Sequence, residues 1–261
     1  MFFLKSYSKD NLLLKVHKKQ NNEKKHKIES IFSLYYGLYD KLKINKSKTL
    51  KILYFDSYKN KLEIKNCIVK KSISWIKANF PNVDLFYTIS ITKKIPIGSG
   101  LGGGASNAAT VIKYILEKNK IKLSYKNLCD IALNLGSDIP FFLSGYKFAL
   151  VKNYGDDIIP LNKIFVKYAI YPINVSSLSE KVYEAFDNSS KQYSFDFDKS
   201  FYEIMTNNIS SVTCYNNLQE SIFKLYPDIK KHYMELNAFK NYKIMVNGAG
   251  SYLVILKKHI K

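Results

Sequence analysis

The chain has 261 residues, 46% of them hydrophobic and 24% charged, enough for one large domain or two modest ones around a sizeable core. Charged residues interrupt every apolar run before it reaches the length of a membrane span, and Lys5 cuts Met1-Phe2-Phe3-Leu4 short of a signal-peptide core, so a cytoplasmic protein with no membrane partner is expected. The net charge of +20 rests on lysine alone, since no arginine occurs; the lysines are spread along the chain, which argues against a dedicated nucleic-acid surface and leaves phosphate binding to point charges and backbone amides.

Taken in chain order, residues 12–16 form a strand-like apolar run, and a polar loop follows over 18–25. Residues 28–36 and 41–44 resume strand character. Ile68, Ile73, Trp75 and Ile76 predict an amphipathic helix over 64–80, closed by Pro81. A β-branched strand over 87–92 leads into a glycine cluster, and Ala108, Val111, Ile112, Ile115 and Leu116 mark a helix to residue 118. Ser124 caps a further helix, which Gly136 stops near residue 135. The turn-rich stretch 150–157 predicts a domain boundary. It divides an N-terminal domain, 1–152, from a C-terminal α+β domain, 153–261. Within the latter the pattern gives a strand over 165–171, a helix over 179–186, a loop over 190–200, a helix over 217–226 broken by Pro227, and strands over 244–246 and 252–256. Strands and helices alternate without a regular βαβ rhythm, so the expected class is α+β.

The three cysteines, Cys67, Cys129 and Cys214, are far apart and form no C-x-x-C pair, which reads as reduced thiols with no zinc site. The glycine cluster is the most informative segment. Five of the eleven glycines fall between Gly98 and Gly104, after a strand and before a helix. That order suits a phosphate: glycines let backbone amides approach an anion, and the helix N-terminus offers unsatisfied N–H groups and a positive dipole end. No Lys-Ser/Thr pair follows, so it is not a Walker A loop, and the acidic partner of a dinucleotide fold is missing. Nucleotide triphosphate binding is the expectation.

Phosphoryl transfer to an alcohol further needs a base, a cation and usually Mg²⁺. Asp138, between a helix stop and Ile139-Pro140-Phe141-Phe142, is either that base or an ordinary N-cap or Asx-turn residue before Pro140. Lys9, at the mouth of a strand, is either the cation or one more solvated lysine.

Four separated segments then occur in the order found in the 4-diphosphocytidyl-2-C-methyl-D-erythritol kinases of the GHMP superfamily. Ser8-Lys9-Asp10-Asn11-Leu12 resembles A-K-x-N-L, and Lys25-His26-Lys27-Ile28-Glu29-Ser30-Ile31-Phe32 resembles Y-H-x-[LI]-x-[ST]-[LIV]-F. The run from Pro96 to Ala109 resembles P-x-x-x-G-L-G-G-G-[SA]-[SA]-[ND]-A-A, and Gly136 to Phe142 resembles G-[AS]-D-[VI]-P-F-F. Weaker matches are Asn216-Asn217-Leu218-Gln219 to N-D-L-E and Asn247-Gly248-Ala249-Gly250-Ser251 to S-G-[ST]-G-[SPA].

The resemblance implies a two-domain α+β fold with the active site in the interdomain cleft, and ATP-dependent phosphorylation of the 2-hydroxyl of a cytidyl-methylerythritol substrate in non-mevalonate isoprenoid synthesis. It assigns Lys9 and Asp138 as the catalytic pair. ATP falls to Pro96, Ile97, Gly98, Ser99, Gly100, Leu101, Gly102, Gly103, Gly104, Ala105 and Ser106, with Asn66 and Lys93. Asn11, His26 and Tyr183 contact substrate, and Ser106 is a candidate Mg²⁺ contact. The implied partners are ATP and the cytidyl substrate, with no specific nucleic acid, in a monomer or homodimer.

Departures from the pattern stand out. Asp10 replaces an aliphatic residue and either pairs with Lys9 or faces water. Lys25 replaces an aromatic that stacks on cytosine, and Asn217 and Gln219 replace acids. The sequence ends soon after its last strand, so a second domain shortened at the C-terminus is expected. The alternatives are a sister kinase for homoserine or mevalonate, or a non-catalytic basic RNA-binding protein.

Overall fold

The computed structural model describes residues 3–20, 23–163, 167–173, 175, 177–189, 195–208 and 216–257. In chain order it runs β1 (Leu4–Val16), β2 (Ile28–Lys46), β3 (Lys51–Phe55), β4 (Lys61–Leu62), α1 (Ile68–Asn79), β5 (Tyr87–Thr92), α2 (Gly103–Lys118), α3 (Tyr125–Asn134), α4 (Ile139–Ser144), β6 (Phe148–Asn153), β7 (Asp157–Pro160), β8 (Tyr168–Pro172), α5 (Ser179–Asp187), α6 (Phe197–Met205), α7 (Gln219–Leu225), α8 (Pro227–Asn237), β9 (Tyr242–Val246) and β10 (Tyr252–Lys257). No described helix is long and apolar enough to cross a membrane.

The chain divides into two compact units interleaved in sequence, where one cut after residue 152 was expected. The first holds Met1–Ser8, Tyr35–Ile97 and Gly102–Gly145; the second holds Lys9–Leu34, Gly98–Leu101 and Tyr146–Lys261. The division falls inside β1, β2 and the glycine loop.

In the first unit β5 lies between β3, its parallel partner from Lys51↔Thr88 to Phe55↔Thr92, and the C-terminal part of β2, antiparallel from Lys41↔Thr92 to Lys46↔Tyr87. β4 extends the β3 edge. Strand β5 alternates buried and half-buried residues, so Tyr87, Ile89 and Ile91 enter the core while Thr88, Ser90 and Thr92 do not. That core joins Leu42, Ile89 and Ile91 to Val69, Ile73 and Ile76 of α1, Val111, Ile112 and Ile115 of α2, Ile131 of α3 and Ile139 of α4. Helix α1 starts at Ile68, later than expected, because Cys67 caps it: the Sγ accepts from the Lys70 N–H. Ser124 and Asn127 form the capping box of α3, as the sequence suggests.

In the second unit the N-terminal part of β2 pairs antiparallel with β6, from Ile28↔Asn153 to Ser33↔Phe148, and β6 pairs with β7. A second antiparallel sheet has the order β8-β10-β9. Its core gathers Leu12, Leu13, Ile31, Phe197, Ile204, Met245, Val254 and Leu256.

The sequence reading differs at several elements. The two expected strands over 28–36 and 41–44 are one strand, and β3 and β4 were not foreseen. The turn-rich stretch 150–157 is the end of β6, the bend over 154–156 and the first residue of β7 in one hairpin, with Asn153 and Gly155 at positive φ. Pro227 opens α8 at a first-turn position, where its missing N–H costs nothing. The expected loop 190–200 overlaps α6, and residues 190–194 lie outside the described residues, as do 165–166 of an expected strand.

Candidate active site

In the first unit a single carboxylate organises the entry to the glycine loop. Asp40, fully buried on β2, accepts from the main-chain N–H of Lys94 at 2.7 Å and of Ile95 at 2.9 Å. It also accepts from the Asn107 amide at 2.9 Å and pairs with the Lys93 ammonium. Lys93 donates in addition to the Asn107 Oδ1 at 3.1 Å. The Asn107 Nδ2 reaches the Ser6 Oγ at 2.9 Å, and the Ser6 and Ser106 hydroxyls share a hydrogen bond of 2.6 Å. Burial pulls the Lys93 ammonium below the usual lysine range, against the opposing charge of Asp40. The polar network thus ties the end of β5 to the first turns of α2. Sequence reasoning named Lys93 and Ser106 and missed Asp40. In the sequence Asp40 falls in the gap between the two expected strands, 28–36 and 41–44, where nothing marks it as buried.

The loop itself places Gly98, Gly100 and Gly102 at positive φ, with Gly102 at the N-cap of α2 and no side chain there to cap it. Helix α2 therefore opens at Gly103 rather than at residue 108, and the amides of its first turn have no intrahelical acceptor. Gly103 is not among the positive-φ glycines; what excludes a side chain there is contact, since a Cβ would sit 2.8 Å from Ile95 Cγ2 and 3.2 Å from Lys93 Nζ. Asn66 is exposed in the turn before α1; its chain neighbours Lys65 and Cys67, but not Asn66 itself, line a hollow of about 360 Å³ together with Tyr54, Leu62, Glu63 and Lys70. Asp138 is half-buried at the N-cap position of the short helix α4, and its side chain makes no capping hydrogen bond.

In the second unit Lys9 is 4% exposed, so it is no solvated lysine. Its N–H donates to the Leu101 carbonyl at 3.0 Å, its Nζ donates to Asn11 Oδ1 at 2.6 Å, and the ammonium stands 4.6 Å from the Phe32 ring centre. Asn11 in turn donates to the Ser30 Oγ at 2.9 Å. Lys9, Asn11 and the 98–101 end of the glycine loop are therefore brought together. Asp10 does not face water: it is fully buried, and its Oδ1 accepts from the Asn247 amide at 3.2 Å. Burial raises its carboxyl to about 7, against the Tyr168 hydrogen bond and the charge of Lys9.

His26 and Tyr183 also meet, with rings stacked at 4.7 Å and 30°. The His26 Nε2 lies 2.8 Å from Asp187 Oδ1. Asp187, which the sequence reading missed, sits one helical turn after Tyr183 on α5. Lys9 and Asp138 fall in different units.

The GHMP kinases N terminal domain matches residues 67–146. The chain is 40% identical over 257 residues to 4-diphosphocytidyl-2-C-methyl-D-erythritol kinase of Ureaplasma parvum serovar 3, covering 97% of this chain and 95% of that one. It is 33% identical to the Sulfurihydrogenibium enzyme of the same name, over 87% of this chain and 82% of that one. Among solved structures it resembles a 4-(cytidine 5'-diphospho)-2C-methyl-D-erythritol kinase with a TM-score of 0.72 at 21% identity, over 98% and 90% of the two chains. Mevalonate pyrophosphate decarboxylase from Streptococcus pyogenes follows at a TM-score of 0.66 and 13% identity, over 99% and 89%. The fold is that of the GHMP kinases, and the chain belongs to the 4-diphosphocytidyl-2-C-methyl-D-erythritol kinase family.

Proposed function

We propose that the protein transfers the γ-phosphoryl group of ATP to the 2-hydroxyl of 4-diphosphocytidyl-2-C-methyl-D-erythritol. The observation that carries this reading is the strand–glycine loop–helix junction, anchored from beneath by Asp40 and opening on the uncapped first turn of α2, in a chain of this kinase family. Amides fixed in that way meet a polyphosphate without rearranging.

Asp138 takes the proton of the substrate hydroxyl as the phosphoryl group arrives, and Lys9 orients that hydroxyl and stabilises the developing charge. Asn11, bonded to the Lys9 ammonium, fixes its direction. With its Nε2 held by Asp187, His26 presents Nδ1 as an acceptor to the exocyclic amine of cytosine, while Tyr183 backs the imidazole. Mg²⁺ is the metal this chemistry uses. Among the described residues no three His, Cys, Asp or Glu gather to hold a metal. When bound it would neutralise phosphate charge, and Ser106, a buried hydroxyl in the first turn of α2 that shares a hydrogen bond with Ser6, is the candidate protein contact.

A coupled ADP-release assay tests the reading. Turnover is expected with the cytidyl substrate and not with homoserine or mevalonate; turnover confined to either of the latter would make this a sister kinase. Asp138→Asn should lower kcat by about 10²–10⁴-fold with ATP affinity within about twofold, since the amide keeps the shape and cannot take the proton.

A further inference from the structure

The first departure from the family pattern, Asp10, meets another. Asp10 stands where the pattern has an aliphatic residue, and Asn247 stands where it has serine; they are 237 positions apart, and the Asn247 Nδ2 donates to the Asp10 Oδ1. Asn247 also accepts the Asn11 N–H at 2.8 Å, so one side chain bridges neighbouring residues of β1.

What Asn247 begins is a tight loop. The Gly250 N–H returns to the Asn247 carbonyl at 3.0 Å, and Asn216 holds the Gly248 carbonyl at 2.7 Å from the other side. The loop then presses on the phosphate loop. A Cβ on Gly250 would collide with the Ser99 carbonyl, and a Cβ on Gly100 would lie 3.0 Å from Gly250 Cα and 3.3 Å from the Asn247 carbonyl oxygen. Any shift of Asn247 therefore reaches Ser99 and Gly100 through backbone contact, with no flexible side chain between to absorb it.

The carboxylate itself is an unusual thing to keep there. Asp10 is fully buried; the Asn247 amide and the Tyr168 hydroxyl face its carboxyl, and Oδ2 has no hydrogen bond of its own among the described residues. Its neighbours on the strand, Leu12 and Leu13, belong to the hydrophobic core. An aliphatic side chain would be more stable at that place, because an under-partnered buried carboxyl carries a desolvation cost that a methylene group does not.

We propose that Asp10 is a positioning residue for nucleotide binding: by accepting the Asn247 amide, its buried carboxyl sets the Asn247–Ser251 loop against Ser99 and Gly100. The proposal rests on the reading of the glycine loop as the ATP phosphate site. Asp10 touches no substrate; it acts through Asn247.

The test compares wild type, Asp10→Asn, Asp10→Leu and Asn247→Ala by KM for ATP, kcat with the cytidyl substrate, ATP affinity by calorimetry, and thermal midpoint. Asp10→Leu removes the acceptor and should raise KM for ATP at least tenfold, with kcat at saturating ATP within about threefold, while the thermal midpoint stays level or rises. A side chain that merely filled the core would not separate affinity from stability in this direction. Asp10→Asn keeps an acceptor oxygen and should bring KM for ATP back to within about threefold of wild type. Asn247→Ala leaves the residues of β1 unchanged, removing only the side chain that bridges Asp10 and Asn11, and should raise KM for ATP as Asp10→Leu does, which carries the test if the leucine variant fails to fold. Asp10→Leu or Asn247→Ala with unchanged ATP affinity overturns the proposal, as does an Asp10→Asn no better than Asp10→Leu. A wild-type protein that binds no ATP overturns the phosphate-loop reading, and the proposal falls with it.

Discussion

At the scale of single residues, Asp10 makes stability depend on pH in an unusual direction. Its carboxyl, which also accepts the Asn247 amide, is raised from 3.8 to about 7, burial being the main cause, with the Tyr168 hydroxyl and the Lys9 ammonium acting the other way. Between those two values the folded chain keeps a proton that the unfolded chain has released. Stability contributed by this group therefore falls as pH climbs from about 4 to about 7 and levels off above, by on the order of 4 kcal/mol. Urea denaturation at pH 5 and pH 8 should show Asp10→Asn more stable than wild type at pH 8 and nearly equal at low pH; parallel curves would contradict the assignment. His26 gives a second residue-scale expectation. Its imidazole has Asp187 on one nitrogen and Tyr183 on one face, so it is oriented before any substrate arrives. His26→Ala should weaken binding of the cytidyl substrate by roughly 1–3 kcal/mol, raising its KM about five- to 150-fold, and leave KM for ATP within about twofold. A parallel rise in both would make His26 a folding residue.

At the scale of elements, the junction of β5 and α2 depends on an ion pair sealed from water. The Lys93 side chain is 9% exposed and that of Asp40 fully buried. Such a pair is hard to break from one side, because the remaining charge is stranded. Asp40→Asn should cost about 3–5 kcal/mol in urea denaturation, and adding Lys93→Met should restore part of that loss by removing the stranded ammonium. Additive losses would show that the two are not coupled. The same junction explains why α2 begins at Gly103 and not at residue 108. Apolar spacing starts at Ala108, so periodicity finds the core-facing part of the helix, whereas its first turn is glycine and polar and is fixed by Asn107 and Ser106 bonding to Ser6 and Asp40.

At the scale of the molecule, what was legible in the sequence follows the range of the interactions. The α+β class, the strand–loop–helix order around Gly98–Gly104, the cap at Ser124 and the strands at 244–246 and 252–256 all rest on neighbours along the chain, and the structure has them. Strand β2 was divided in two because Gly37 and Asp40 are poor strand formers, yet pairing with β5 and β6 carries the strand through. The β6–β7 hairpin was taken for a boundary because its polar bend outweighs its short flanks. In the candidate site, motifs pointed to Lys9, His26 and the glycines. Asp40, Asp187 and the Asp10–Asn247 pair were hidden, since their partners lie 53 to 237 positions away and no local spacing encodes them.

Glycine is scarce in this chain, and its distribution has a practical consequence. Of eleven glycines, Gly98, Gly100, Gly102, Gly103 and Gly104 lie in the glycine loop and the first turn of α2, and Gly248 and Gly250 in the loop pressed against Ser99 and Gly100. Selective ¹⁵N-glycine labelling would give an amide spectrum of eleven signals, seven of them reporting from those two segments. A titration with ATP then separates the two groups by inspection, and Gly37, Gly136, Gly145 and Gly155 serve as the internal reference.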